Sequence, residues 1–321
     1  MEEGKLSRGV KTSGSPTRGA ILRWAVFAVA AGVIVWAVAS QWTKVSASVA
    51  EVGWGRVAVA AGLAVIALAF NTLSWRSVMT AVGLDAPLRE ASGVFLVSQA
   101  GKYVPGAVWP VVAQAEFARS HGVTRARATV GSLVAMAVGI VMAGVVGGVA
   151  LAFFSPGSVL TYWWVLVLAL MLAVTLIPAV LTRLLNLALR VLRREGEVPR
   201  IGGRALAASA GWSALNWAAL GGQAFVLLEA LGGDDATYGL ATGAFALAWL
   251  VGFVVVLAPA GAIFREGALV LMLGTVVTRP EALAFAVLSR FAMTLADAAG
   301  LAIGALARRS RQERPRRTPA P

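Results

Sequence analysis

Charged side chains interrupt apolar runs at three places in this chain, and each lies beside a helix-breaking residue or on one helical face. The segment SQAGKYVPGAVWPVVAQAEFARSHG, residues 98–122, places Lys102 and Tyr103 just before Pro105 and Gly106. Trp109, Gln114 and Glu116 follow. The segment LAPAGAIFREGALVLML, residues 257–273, places Arg265 and Glu266 just after Pro259 and Gly261. The segment VLSRFAMTLADAAG, residues 287–300, carries Arg290 and Asp297. Seven residues are nearly two helical turns, so the last pair shares one face. A charge at the centre of a membrane span costs about 2.5–3.5 kcal/mol, so it has a partner or a task. The chemistry on offer is ionic. Lys102, Arg265 and Arg290 would hold an anionic headgroup, while Glu266 and Asp297 would balance them or relay protons. The competing reading is packing: Arg265 with Asp297, or Glu266 with Arg290, as ion pairs that fix helices together. Glu116 and Arg119 read as ordinary interfacial residues.

Other chemistries are excluded by composition. There is no cysteine and a single histidine, His121, so disulfides, Cys-based zinc sites, thiol catalysis and His-rich metal sites are ruled out. Ser/His/Asp catalysis would need His121, which sits in a polar, basic loop. No glycine run has phosphate-loop or dinucleotide spacing, so no cofactor is expected. The basic tails lack interleaved aromatics, so nucleic acid is not expected as a partner.

The elements that position these residues are membrane helices. Hydrophobic residues make up 59% of the 321 and charged residues only 13%, where a soluble domain would carry about a quarter. Mean hydropathy is +0.79. The net charge of +13 gathers in residues 1–23, in a central loop from Arg183 to Arg204, and in residues 308–321. By the positive-inside rule these regions are cytoplasmic, including both termini. Full spans are expected at about 24–40, 57–75, 129–154, 162–181, 205–231 and 282–307. The first is expected to be retained, since no cleavage site follows it.

The segment from about Ala91 to Ala115 has basic loops on both sides. It is therefore read as a re-entrant hairpin turning at Val104-Pro105-Gly106, with Ala86 and Ser120 on one side of the membrane. Irregular backbone at membrane depth must be buried in protein or line a wet cavity. Residues 238–277, broken at Pro259-Ala260-Gly261, read as a second hairpin entered from the other side, at Ala236. Its first arm, 238–258, is long enough to span alone. The fold class is thus all-α: six full spans plus two broken hairpins, arranged as an inverted repeat. The tails are 1–23 and 308–321, and the membrane halves are 24–155 and 156–307. Interrupted helices at matching places in two halves are the sequence sign of a midplane site in secondary transporters.

GKYVPGAVW and PAGAIFREGALV together resemble the two signature regions of the lysylphosphatidylglycerol synthase transmembrane family. The first is matched by Gly101, Lys102, Tyr103, Pro105, Gly106 and Trp109, and the second by Pro259, Gly261, Arg265 and Glu266. Arg290 and Asp297 are also similar to the family. The resemblance covers most of the chain and includes the flippase half of the multiple peptide resistance factor. It implies a bacterial plasma-membrane protein that moves a polar-headed lipid between leaflets, with an aminoacyl-phospholipid or a polyprenyl-phosphate-linked sugar as cargo. The expected partners are anionic or zwitterionic lipids and a glycosyltransferase or lipid synthase. No soluble aminoacyl-transferase domain follows the basic tail in this sequence, so no synthase activity is expected. The alternative is an embedded enzyme, or an accessory subunit, of envelope lipid or glycoconjugate synthesis.

Overall fold

The computed structural model describes residues 36, 39, 42–103, 109–154, 159–191, 198–233, 235–254, 262–274 and 276–312. Among them the structure is all-helical. The expected first span lies outside the described residues except for Trp36 and Ala39. The helices are α1 (Trp42–Val52), α2 (Trp54–Ala81), α3 (Leu88–Gln99), a 3-10 turn (Ala100–Tyr103), α4 (Trp109–Arg119), α5 (Arg125–Phe154) and α6 (Val159–Val174). They are followed by α7 (Pro178–Val191), α8 (Gly203–Ala230), α9 (Tyr238–Val254), α10 (Ala262–Leu273) and α11 (Arg279–Gln312).

Three of these are long and apolar enough to cross a membrane: α2, α5 and α11. Helix α8 has the length, 28 residues, but carries Arg204, Asn216, Gln223 and Glu229 and does not join those three. It makes up for this by packing along α2. Ser74 Oγ donates to the Ser209 carbonyl at 2.9 Å, and the rings of Phe70 and Trp212 stack at 5.8 Å. These contacts make the two helices antiparallel.

Helices α2 and α8 also end alike. The N–H of Leu84 bonds the Met79 carbonyl and that of Gly83 bonds the Thr80 carbonyl, with Gly83 at φ 103°. The N–H of Gly233 bonds the Leu228 carbonyl and that of Gly232 bonds the Glu229 carbonyl, with Gly232 at φ 88°. Both are Schellman caps, which need the left-handed backbone that glycine adopts without steric cost. Each cap is followed by a broken helical hairpin.

The first hairpin is α3, the 3-10 turn and α4. Its arms run antiparallel, as two rungs show. Gln114 Nε2 donates to Ser98 Oγ at 2.9 Å, and His121 Nε2 lies 3.3 Å from Glu90 at the base. The arms close tightly at Gly101, where a Cβ would lie 2.9 Å from Trp109 Cβ and 3.1 Å from Pro110. In the second hairpin, α9 and α10 fold back so that the Arg265 guanidinium lies 4.8 Å over the Phe245 ring. Arm α9 has 17 residues, which at 1.5 Å per residue is about 26 Å and short of the roughly 30 Å hydrocarbon core.

The hairpins enter from opposite ends. The base of the first joins a core containing Val82 and Leu84 after α2, Ala128 at the start of α5, and Leu206 at the start of α8. The base of the second, at Ala236 and Val277, joins a core containing Val57, Leu228, Leu231 and Phe285 at the other ends of those helices and at the start of α11. The first end carries Arg76, Arg89, Arg125, Arg127 and Arg204. The other end exposes Trp42, Trp54, Trp163 and Trp164. Arg56 and Arg279 also stand at the aromatic end, but arginine is concentrated at the first, and that bias with an aromatic belt marks two membrane interfaces.

The expected span 162–181 differs from the structure. Apolar helix α6 stops at Val174, and the chain bends by 80° into α7. The cause is Pro178, which lacks an N–H and cannot continue the α6 ladder. The N–H groups of Thr175, Leu176 and Ile177 instead bond three residues back, tightening the last turn.

Three substitutions separate close packing from ordinary helix surface. Gly101→Ala would strike Trp109, and Gly304→Val would strike the Gly93 carbonyl, which lies only 2.8 Å from where the new Cβ would stand. Each is expected to destabilise by about 1–3 kcal/mol in thermal unfolding in detergent. Gly62→Ala has nothing within 4 Å and is expected to be neutral or slightly stabilising. The opposed hairpins are tested by labelling single cysteines with a membrane-impermeant maleimide. Ala86 is buried, but its neighbour Asp85 is exposed, as are Ser120 and Asp235. Asp85→Cys and Ser120→Cys are expected to react from one side of sealed vesicles and Asp235→Cys from the other. Reaction of the first two from opposite sides would show that residues 88–119 cross the membrane.

Candidate functional site: a charged line on the last helix

Helix α11 runs 34 residues and carries the polar positions Ser289, Arg290, Thr294 and Asp297 near its middle. Arg290, Thr294 and Asp297 recur at intervals of four and three and make one stripe in the apolar middle of the helix, with Ser289 at its edge. Both hairpins dock against it.

The first hairpin supplies Lys102 and Tyr103. Lys102 Nζ lies 2.8 Å from Asp297 Oδ1 and 2.7 Å from Oδ2, and Tyr103 Oη donates to Oδ2 at 2.6 Å. Asp297 is 8% exposed and the Lys102 side chain 40% exposed, so the pair sits at the rim of the protein interior. The 3-10 turn makes this geometry. It swings two consecutive side chains out of α3 toward α11, while the close approach of Gly93 and Gly304 brings the helices near enough for both to reach.

The second hairpin supplies Arg265 and Glu266. Glu266 Oε1 accepts from Arg290 Nη1 at 3.2 Å. Arg265 turns the other way. Its Nη2 donates to Ser289 Oγ at 3.3 Å and lies 3.7 Å from Met293 Sδ, with the Phe245 ring beneath the guanidinium. Arg265 has no carboxylate within salt-bridge distance among the described residues. Of the two ion pairs open to the sequence, Glu266 with Arg290 forms and Arg265 with Asp297 does not. The second hairpin meets α11 about two turns before Asp297, and the first hairpin takes that carboxylate.

The remaining sequence-derived candidates fall into three groups. Gln114 is buried between the arms of the first hairpin, where Ser98 holds its amide. Trp109 is 41% exposed at the start of α4. Pro105, Gly106, Pro259 and Gly261 lie outside the described residues. At the hairpin base, Arg119 and then Arg125 hydrogen-bond Glu116 and hold its carboxyl below its usual range. This is an exposed surface network.

Sequence reasoning missed Ser289, Met293, Thr294 and Phe245. Thr294 had a signal, since a hydroxyl one turn after Arg290 lies on the line between Arg290 and Asp297. Phe245 had none, because only the fold-back of α9 brings it under Arg265. It also missed Gln223 on α8, which is fully buried with neither amide atom hydrogen-bonded among the described residues. One groove among the described residues lies elsewhere. It is an apolar cleft of about 310 Å³ between α5, α8 and α9, bounded by Val146, Val149, Ala218 and Thr242.

Removing one member of a part-buried ion pair leaves the other charge uncompensated, while removing both does not. Arg290→Gln is therefore expected to lower the melting temperature more than Arg290→Gln with Glu266→Gln. Equal losses in the single and double variants would show that the two residues are not coupled.

The chain matches the family model described as lysylphosphatidylglycerol synthase TM region over residues 23–300. No curated protein matches it. The matched range includes both hairpins and α11 through the charged line. The structure is that of an all-α, multi-pass membrane protein. The chain belongs to the lysylphosphatidylglycerol synthase TM region family, whose members are tied to lipid synthesis or translocation.

Proposed function

We propose that the protein is a flippase-like translocase that passes a polar-headed lipid between leaflets, with the charged line on α11 as its headgroup site. The observation that carries this reading is the docking of two broken hairpins, from opposite ends of the bundle, onto neighbouring turns of one helix. A headgroup entering beside either hairpin would meet the same line of charges. Transporters place substrate sites at such broken helices because an interrupted backbone offers polar groups at membrane depth.

The charges suit an anionic headgroup. Lys102, Arg265 and Arg290 are three cations against two carboxylates, Glu266 and Asp297, leaving one positive charge on the line. Arg265 is the cation whose partners are a hydroxyl, a thioether and a ring, so its fork can still take a phosphate bidentately. Each carboxylate faces its own cation. That arrangement favours binding and release over acid–base catalysis by a carboxylate pair. The cargo class is an aminoacyl-phospholipid or a polyprenyl-phosphate-linked sugar. The natural partner is the synthase or glycosyltransferase that makes that lipid, at the plasma membrane of a bacterium with both termini cytoplasmic.

The test uses purified protein in sealed vesicles containing fluorescent phosphatidylglycerol, with dithionite bleaching to follow the outer leaflet. The parent is expected to raise the bleachable fraction over protein-free vesicles. Lys102→Ala and Arg265→Ala are both expected to return it to the protein-free level; Arg265→Ala keeps the parent's melting behaviour, while Lys102→Ala folds with a lowered melting temperature because Asp297 loses its cation. Lys102→Arg is expected to be milder, since it keeps the charge and changes only the donor geometry. If both alanine variants fold and move lipid like the parent, these charges serve packing and the reading is wrong.

A further inference from the structure

Helix α7 is a second feature built for lipid, at the basic end of the bundle and away from the charged line. It follows an 80° bend from α6, an apolar helix that packs antiparallel along α5, with Gly148 against Val165 and Ala169 and Gly144 against Leu172. A helix bent so sharply from one that lies along the span α5 runs close to the membrane plane.

Its surface divides into three sectors at 100° per residue. Leu181 and Leu185 fall within about 40° of each other and pack into the core shared with Ala115, Ala118, Ile201 and Leu206. Arg183, Asn186 and Arg190 fall within about 60° and are exposed. Between these sectors, Leu184, Leu187 and Val191 form a third stripe about 60° wide, and they are 45%, 57% and 73% exposed. A helix on a water-facing protein surface would carry polar residues there. One sector against protein, one polar and one apolar but uncovered by protein is the pattern of an amphipathic helix lying in a bilayer interface beside its own bundle.

The charge names the lipid. Helix α7 contains two arginines and no acidic residue, and exposed Arg200 and Arg204 follow at the same end. Arginine stems beside an apolar stripe can lie along the hydrocarbon boundary while the guanidinium groups reach headgroup phosphates.

We infer that α7 is an interfacial helix that seats Leu184, Leu187 and Val191 in the leaflet at the basic end and gathers anionic phospholipid there through Arg183 and Arg190. This surface does not depend on the translocase reading. Its place beside the returning arm of the first hairpin would enrich anionic lipid next to that hairpin's base.

The chain has no cysteine, so single reporters can be placed freely. Leu187→Cys and Asn186→Cys, labelled with bimane, would be studied in vesicles of phosphatidylcholine and phosphatidylglycerol. The Leu187→Cys label is expected to be quenched by lipids brominated on their acyl chains and shielded from aqueous iodide, and the Asn186→Cys label the reverse. Equal iodide quenching at both positions would overturn the seating of α7 in the bilayer. Lipid preference is read separately, from spin-labelled phosphatidylglycerol against spin-labelled phosphatidylcholine at the protein surface. Arg183→Gln with Arg190→Gln is expected to cut the preference by roughly fivefold for each arginine removed, while Arg183→Lys with Arg190→Lys keeps it. An unchanged preference in the glutamine variant would overturn the assignment to anionic lipid.

Discussion

A carboxylate inside a membrane bundle must have a partner, and Asp297 obtains one only because the first hairpin folds back against α11. Leaving Asp297 unpaired would carry the cost that makes charged residues rare within spans. Lys102 and Tyr103 remove that cost, and in doing so they fix where the hairpin stops. The close approach of Gly93 to Gly304 brings the two helices near enough for that contact. Small residues and an ion pair thus depend on each other: without the glycines Lys102 would not reach, and without Asp297 the hairpin would place a cation near the interior with no anion beside it.

The same logic governs the second hairpin from the other end. Glu266 and Arg290 form the matching pair, while Arg265 is held by Ser289, Met293 and Phe245. Helix α11 therefore works as a common strut. Around it, the antiparallel α2 and α8 provide the frame, with equal lengths of 28 residues and matching glycine caps. Those caps set the direction in which each hairpin leaves. A broken helix at membrane depth is tolerable because the surrounding long helices cover its flanks.

The family and the geometry speak to different levels of function. Membership ties the chain to lipid synthesis or translocation. The charged line adds a reason to favour translocation, because its carboxylates face cations and its cations outnumber them. Helix α7 is proposed as a second surface for lipid, one that the charged line does not touch. The interior line is suited to headgroups and the amphipathic helix to the leaflet, so the two can be separated by substitution.

Much of this was legible in the residues themselves. Hydropathy placed α2, α5 and α11, because an apolar run of span length has few other stable homes. Pro105-Gly106 and Pro259-Gly261 lie outside the described residues, but the arms on either side of each fold back on one another, as the sequence reading of two hairpins expects. Basic flanks on both sides of residues 91–115 implied a return to the same face, and the Glu90–His121 contact at the base agrees. The end of α6 was misplaced because hydropathy stays high through Leu176 and Ile177, and only the missing N–H of Pro178 turns the chain. Which charge meets which was decided by tertiary structure alone. Arg265 and Glu266 are neighbours in sequence, yet one turns to Phe245 and the other to Arg290. Lys102 and Asp297 are 195 residues apart. Spacing along a helix defines a face, but partners across helices depend on the depth at which each hairpin stops, and that depth is set by packing between segments distant in the chain.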